Sequence, residues 1–294
     1  MDVTEDAIFK DVFYNSDDGL KLYARDYPGP QDSGLLPILC MHGLTRNSAD
    51  FSWIASHLAR SRRVISVDQR GRGRSAYDPN PANYTPLTYV NDMFTLLDHL
   101  DLPRVVVIGT SMGGLMAMIM QSLRPGRMAA VVLNDIGPEL DPCGLDRIKS
   151  YVGKSREIRT WDDAVAQTRE INQVAFPSFS DEEWLTFTKG LYTETDAGIP
   201  VLAYDPKIAE PIADQEENAV PPDLWPMFEQ MATLPMLLIR GELSDLLAAD
   251  CVRKMLAVAS GLKYTQVRER GHAPMLNEPE AVESIEHFLN SLGE

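Results

Sequence analysis

Along this chain, short apolar runs alternate with longer stretches whose apolar positions recur every three or four residues. The runs at 37–41, 64–67, 104–109, 130–133, 236–240 and 264–267 are rich in aliphatic or β-branched residues and predict strands. Between them, 48–58, 88–100, 112–123, 248–259 and 280–292 carry helical spacing. In the first of these, Phe51, Ile54, Ala55 and Leu58 share a face, with Ser48 as N-cap. Such alternation predicts a parallel sheet with helices on both faces, and continuous apolar runs suit strands covered on both sides. The opening differs. Two alternating stretches within 9–27 flank Ser16-Asp17-Asp18-Gly19, which predicts an antiparallel hairpin at the sheet edge. The expected class is α/β, with a mostly parallel central sheet flanked by helices.

The rhythm breaks after about Glu139. The stretch to Leu224 lacks strong strand candidates, carries amphipathic pieces at 161–174 and 181–192, and becomes Pro-rich and acidic over 212–226. We read 1–139 as the first part of a core, 140–224 as a helical cap inserted into it, and 225–294 as the second part. The aromatic residues of this region (Trp161, Phe176, Phe179, Trp184, Phe187, Tyr192, Tyr204, Trp225) suit either an apolar pocket or the packing of cap on core. Residues 105–123 carry no charge, which approaches the length of a membrane span. Gly109, Ser111, Gly113 and Gly114 in their middle instead predict a buried strand, a sharp turn and a buried helix. Met116, Met118 and Met120 then read as core.

Composition narrows the function. The chain has 294 residues, 44% hydrophobic and 24% charged, which excludes long disorder as its main character. The net charge of −16 repels phosphate backbones and anionic membrane surfaces, and no concentrated basic patch offsets it. Nucleic acid and membrane are therefore excluded as expected partners. Three scattered cysteines and an acidic N-terminus without an apolar run predict a reducing compartment, most simply the cytoplasm. With neither a metal-ligand cluster nor a cofactor motif, no metal and no cofactor are expected. The expected partner is a small-molecule substrate, and the sequence leaves the oligomeric state open.

The chemistry concentrates at four places. Gly109-Thr110-Ser111-Met112-Gly113 is a G-x-S-x-G turn between a predicted strand and a predicted helix, the context in which a serine becomes an exposed nucleophile. Gly271-His272 follows the last predicted strand, so His272 is the candidate base, while His57, His99 and His287 lie within predicted helices. An acid must orient that imidazole. Asp245, in the loop after 236–240, is the first choice, with Asp135 after 130–133 as the alternative and Glu242 as a nearer rival. His42-Gly43-Leu44 follows the strand at 37–41 and places the Leu44 amide beside the elbow. Backbone N–H groups of Leu44 and Met112 are the candidate oxyanion hole, with His42 holding the turn.

These pieces together resemble the α/β-hydrolase fold superfamily, in its lid-bearing serine hydrolase branch. Asp68-Gln69-Arg70-Gly71-Arg72-Gly73-Arg74-Ser75 is similar to that branch's D-x-R-G-x-G-x-S turn. Gly271-His272-Ala273-Pro274 with Asn277-Glu278-Pro279-Glu280 resembles its C-terminal signature. Within the first of these, Asp68 and Arg70 are expected to pin a tight loop rather than bind an anion. The resemblance implies a Ser-His-Asp hydrolase working through an acyl-enzyme. Its expected substrates are carboxylic esters of small to medium hydrophobic acyl or aromatic compounds. A serine at the elbow disfavours dehalogenase and epoxide hydrolase chemistry. Two alternatives stand beside the ester reading: a carbon–carbon bond hydrolase of ring-cleavage products, and a non-catalytic ligand-binding protein on the same fold.

Overall fold

The computed structural model describes residues 9–31, 33–213 and 223–293. An eight-stranded sheet forms its centre. The strands are β1 (Lys10–Asn15), β2 (Lys21–Tyr27), β3 (Ile38–Met41), β4 (Val64–Asp68), β5 (Val105–Thr110), β6 (Met128–Asn134), β9 (Met236–Gly241) and β10 (Lys263–Val267). They lie in the order β1-β2-β4-β3-β5-β6-β9-β10. β1 and β2 are antiparallel to their neighbours, and every pairing from β4 to β10 is parallel. The hairpin at the edge and the mostly parallel remainder agree with the alternation read from the chain.

Helices cover both faces because the central strands are apolar on both. α2 (Pro86–His99), α3 (Met112–Leu123), α8 (Trp225–Met231) and α9 (Ala249–Val258) pack on one side with Leu39, Val107, Val131 and Leu238 of the strands. α1 (Ser52–Leu58) and α10 (Pro279–Asn290) pack on the other with Ile38, Val106, Val132 and Ile239. Each such side chain, taken wholly out of water, contributes roughly 1.5–3 kcal/mol. The uncharged stretch at 105–123 is β5, the turn and α3. Among the described residues no helix is long and apolar enough to cross a membrane.

Between β6 and β9 the chain leaves the sheet. It forms α4 (Pro142–Tyr151), α5 (Trp161–Asn172), α6 (Asp181–Leu191) and the single turn α7 (Glu210–Ala213). Thr160 and Ser180 each close a reciprocal capping box, with Asp163 and Glu183, which sets the starts of α5 and α6. A small cluster of Ala164, Phe176, Trp184, Phe187 and Tyr192 buries their inner faces. This stretch, which showed no strong strand candidates in sequence, also holds β7 (Tyr192–Glu194) and β8 (Pro200–Leu202), which form an antiparallel hairpin. Three-residue strands are too short to show a period in sequence. Residues 214–222 of the acidic, Pro-rich stretch lie outside the described residues.

Candidate active site

The site is built at the carboxyl ends of β3, β5 and β6. Ser111 sits between β5 and α3 with φ of 51° and ψ of −116°, a conformation that lifts its side chain off the sheet. Small neighbours make that turn possible. A Cβ on Gly113 would stand 2.0 Å from the Met41 carbonyl oxygen, and one on Gly109 2.6 Å from Gly113 itself. α3 can thus begin directly against β3, with its N-terminal N–H groups aimed at the serine.

His272 lies in the loop between β10 and α10. Its Nε2 is 2.8 Å from Ser111 Oγ, and its Nδ1 is 2.8 Å from Asp135 Oδ2. The loop is held from three directions. Asn134 Nδ2 donates to the Pro274 carbonyl at 2.9 Å, Gly271 N–H donates to the Ala175 carbonyl at 2.7 Å, and Glu278 Oε1 accepts from Met275 N–H and Arg270 Nε. Asp135 is wholly buried, in a left-handed conformation (φ 56°) just past β6. Its Oδ1 accepts from Gly241 N–H at 2.8 Å and its Oδ2 from Ser244 Oγ at 2.6 Å. A buried carboxylate needs donors in place of water, and Gly241, Ser244 and His272 supply them.

Asp245, the acid expected from its position in the chain, does not occupy this place. Its carboxylate is held by Arg147 of α4, from Nε at 2.5 Å and from Nη2 at 2.9 Å. Burial pushes the Asp245 carboxyl up, but the hydrogen bonds and charge of Arg147 outweigh that and hold it below the usual range. α4 can lie this close because Gly144 faces the Asp245 backbone, where a Cβ would come within 2.6 Å of its carbonyl oxygen. Glu242, the other rival, accepts from Glu269 N–H on the surface.

Opposite the serine lies the turn after β3. Among the described residues neither the Leu44 N–H nor the Met112 N–H has an acceptor within the protein, so both are free for a ligand. His42 is buried beneath them. It takes the Gln69 N–H on Nε2 at 3.0 Å, which leaves the proton on Nδ1 to donate to the Gly43 carbonyl at 2.7 Å. Burial drives its pKa down to about 3, so the ring stays neutral and structural.

The arginine-rich turn after β4 holds itself together. Asp68 accepts from Ser48 N–H and Arg74 N–H, and position 73 takes glycine because its φ is positive and a Cβ would fall onto that carboxylate. Arg70 is buried among Asp18, Asp78 and Asp92. Burial lifts the Asp92 carboxyl to about 6 against the pull of Arg70. Arg72 reaches further than its motif suggests. Its Nε donates to the Leu44 carbonyl at 3.0 Å while Nη1 holds the Arg70 carbonyl and the Tyr89 hydroxyl. It therefore fixes the peptide next to the Leu44 N–H, a role no local pattern in the sequence announces.

A cavity of about 100 Å³ opens at Ser111 and His272. Its walls come from the sheet turns and from the inserted segment, including Tyr151, Ile171, Phe176, Tyr192 and Tyr204. Of the aromatic residues singled out in sequence, Phe176, Tyr192 and Tyr204 face this space. Phe179 instead stacks on Phe176 face to face, and Trp184 and Phe187 meet Phe176 edge to face. Arg46, Arg147 and Ser244 are the neighbours of the site that sequence reasoning missed. Each is an ordinary polar residue whose placement depends on long-range contacts.

A serine elbow, a histidine loop and a turn with free N–H groups on one mostly parallel sheet define a class, and the chain belongs to the α/β hydrolase fold family, whose model matches residues 37–246. It is 33% identical over 258 residues to a 3-hydroxybutyrate-oligomer hydrolase from Cupriavidus necator, covering 86% of this chain and 87% of that protein. It is 25% identical over 255 residues to a 2-(acetamidomethylene)succinate hydrolase from Mesorhizobium japonicum, covering 86% and 88%. Among solved structures, an α/β hydrolase from Novosphingobium aromaticivorans superposes with a TM-score of 0.90 at 40% identity, covering 97% of this chain and 99% of that one.

Proposed function

We propose that this protein is a serine hydrolase of carboxylic esters, with Ser111 as nucleophile, His272 as base and then acid, and Asp135 as the orienting acid. The observation that carries this is the unbroken row Ser111 Oγ, His272 Nε2, His272 Nδ1, Asp135 Oδ2, with both spacings at 2.8 Å. His272 takes the Ser111 proton as Oγ attacks the ester carbonyl. The developing oxyanion meets the N–H groups of Leu44 and Met112, each worth roughly 3–4 kcal/mol. His272 then protonates the departing alcohol, and water, deprotonated by the same ring, clears the acyl-enzyme. The 140–224 segment acts as a cap that walls this space. The relative named for 3-hydroxybutyrate oligomers, whose units are joined as esters, supports esters over carbon–carbon bonds.

Fluorophosphonate labelling with peptide mass spectrometry tests the nucleophile without a guess at substrate. We expect a stoichiometric adduct on Ser111 that is lost in His272→Ala. Ser111→Ala should lower ester turnover by roughly a millionfold with the fold intact. Label on another residue, or a Ser111→Ala variant of near-native rate, would remove the assignment.

A further inference from the structure

We propose that Arg46 anchors a free carboxylate on the substrate, so that the site selects short hydroxyacid esters that end in a carboxylate. The proposal rests on the ester-hydrolase reading and adds a substrate class to it.

Arg46 lies on the cavity wall with Ser111 and His272. It is rooted beside the nucleophile: the point where a Gly43 Cβ would stand is 3.5 Å from Arg46 Cγ and 3.6 Å from Ser111 Cβ. Its guanidinium is held but not consumed. Both oxygens of Asp50 accept from Nε alone, at 2.8 and 2.7 Å. The plane rests on the Phe187 ring, 4.2 Å from its centroid. Nη2 has only the Met275 sulfur at 3.5 Å, a weak acceptor, and Nη1 has no partner among the described residues. The two-nitrogen edge that takes a carboxylate in bidentate fashion is therefore open.

Charge points the same way. In a chain of net −16, the wall of this cavity carries Arg46 and Lys154 against one carboxylate, Asp50. Lys154 has no carboxylate partner among the described residues, only the Lys149 carbonyl at 3.5 Å. An excess of positive charge lining a concave site draws anions and orients them. Length agrees as well. In an ester formed on a 3-hydroxy acid, the free carboxylate is four bonds from the scissile carbonyl carbon, roughly 5 Å when extended. Arginine's terminal nitrogens likewise lie four bonds beyond Cγ. A substrate of that size spans from nucleophile to guanidinium, with the alcohol half, which carries the carboxylate, leaving first.

The test compares the 3-hydroxybutyrate dimer as free acid with its methyl ester, in which a methyl group caps the charge, and follows cleavage of the ester between the two units. For the wild type, kcat/KM should favour the free acid by about tenfold or more, the range of a hydrogen bond to a charged group. In Arg46→Gln the ratio should fall to near one, and Arg46→Lys, which keeps charge but not the fork, should stand between. The ratio is internal to each protein, so a general loss of rate does not disturb it. Free 3-hydroxybutyrate should also inhibit hydrolysis of p-nitrophenyl butyrate competitively in the wild type, which reads the anchor even if the variants fail to fold. Equal turnover of both dimers by the wild type, with no inhibition by the free acid, overturns the anchor and leaves the hydrolase standing. Failure to turn over any of these esters overturns both.

Discussion

Two aspartates follow neighbouring strands of the sheet, and their surroundings set them apart. Asp135 comes one residue after β6, wholly buried, and receives a backbone N–H, a serine hydroxyl and the imidazole. Asp245 comes four residues after the end of β9, half-buried, and both its oxygens are taken by Arg147. The difference lies in register. Thr110 pairs with Asn134, so the residue after Asn134 stands across from Ser111. Ile239 pairs with Asn134 on the far side, and Gly241 and Ser244 beyond it are near enough to donate to Asp135. The loop after β9 thus supplies donors to Asp135 instead of the carboxylate that meets His272. A loop position in the chain order identifies a neighbourhood, whereas the partner of a histidine is the carboxylate with an open oxygen facing it.

The largest expected effect breaks the two aspartates apart directly. Asp135→Asn should cost roughly ten-thousandfold in kcat, because the amide no longer stabilises the imidazolium or its tautomer. Asp245→Asn should keep activity within about tenfold. Steady-state rates on p-nitrophenyl butyrate, with circular dichroism to check folding, decide it. If Asp245→Asn were the silent enzyme and Asp135→Asn the active one, the assignment would be reversed.

Most of the frame and two members of the hydrogen-bonded row Ser111–His272–Asp135 are legible in the chain. The G-x-S-x-G turn and the Gly-His loop are local patterns whose function depends on a strand ending and a helix or loop beginning, and those boundaries follow from apolar periodicity. The acid is different. Asp135 and Asp245 both follow apolar runs, and only the pairing of β5, β6 and β9 tells which of them faces His272. Arg72 behind Leu44 and Arg46 beside the cavity are equally silent, since their partners lie 28 and, for Met275, 229 positions away. The inserted segment is legible as two amphipathic pieces, which form α5 and α6. Its hairpin is not, because three-residue strands carry no readable alternation.

A smaller effect sharpens the comparison at Ser244. Its hydroxyl donates to Asp135 and accepts the Leu247 N–H at 3.1 Å, so it ties the β9 loop to the acid. Ser244→Ala leaves Asp135 with one donor fewer and cuts the tie between the β9 loop and the carboxylate, so the His272 ring is held less firmly. The rate on p-nitrophenyl butyrate should fall by about tenfold, the worth of one hydrogen bond. Ser244→Thr, which keeps the hydroxyl, should restore it. A Ser244→Ala variant of unchanged rate would show that this hydrogen bond does nothing for the Asp135–His272 contact.

The smallest effect belongs to the Arg147–Asp245 pair, which joins α4 to the β9 loop. Arg147 and Asp245 side chains are 18% and 25% exposed, so solvent screens the pair and its worth is at most about 1 kcal/mol. Arg147→Met should therefore lower Tm by roughly 2–4 °C near neutral pH. The sign with pH follows from the carboxyl. Asp245 is held below its ordinary value of 3.8, so its contribution is complete above that value and disappears as pH falls through the lower, folded one. The gap between wild type and variant should persist from pH 7 down to about 5 and narrow below 3.8. Asp245→Asn should lose the same stability, and the double variant should lose no more than either alone, as expected for two residues acting only through each other. Additive losses would mean that each side chain is held by contacts other than this pair.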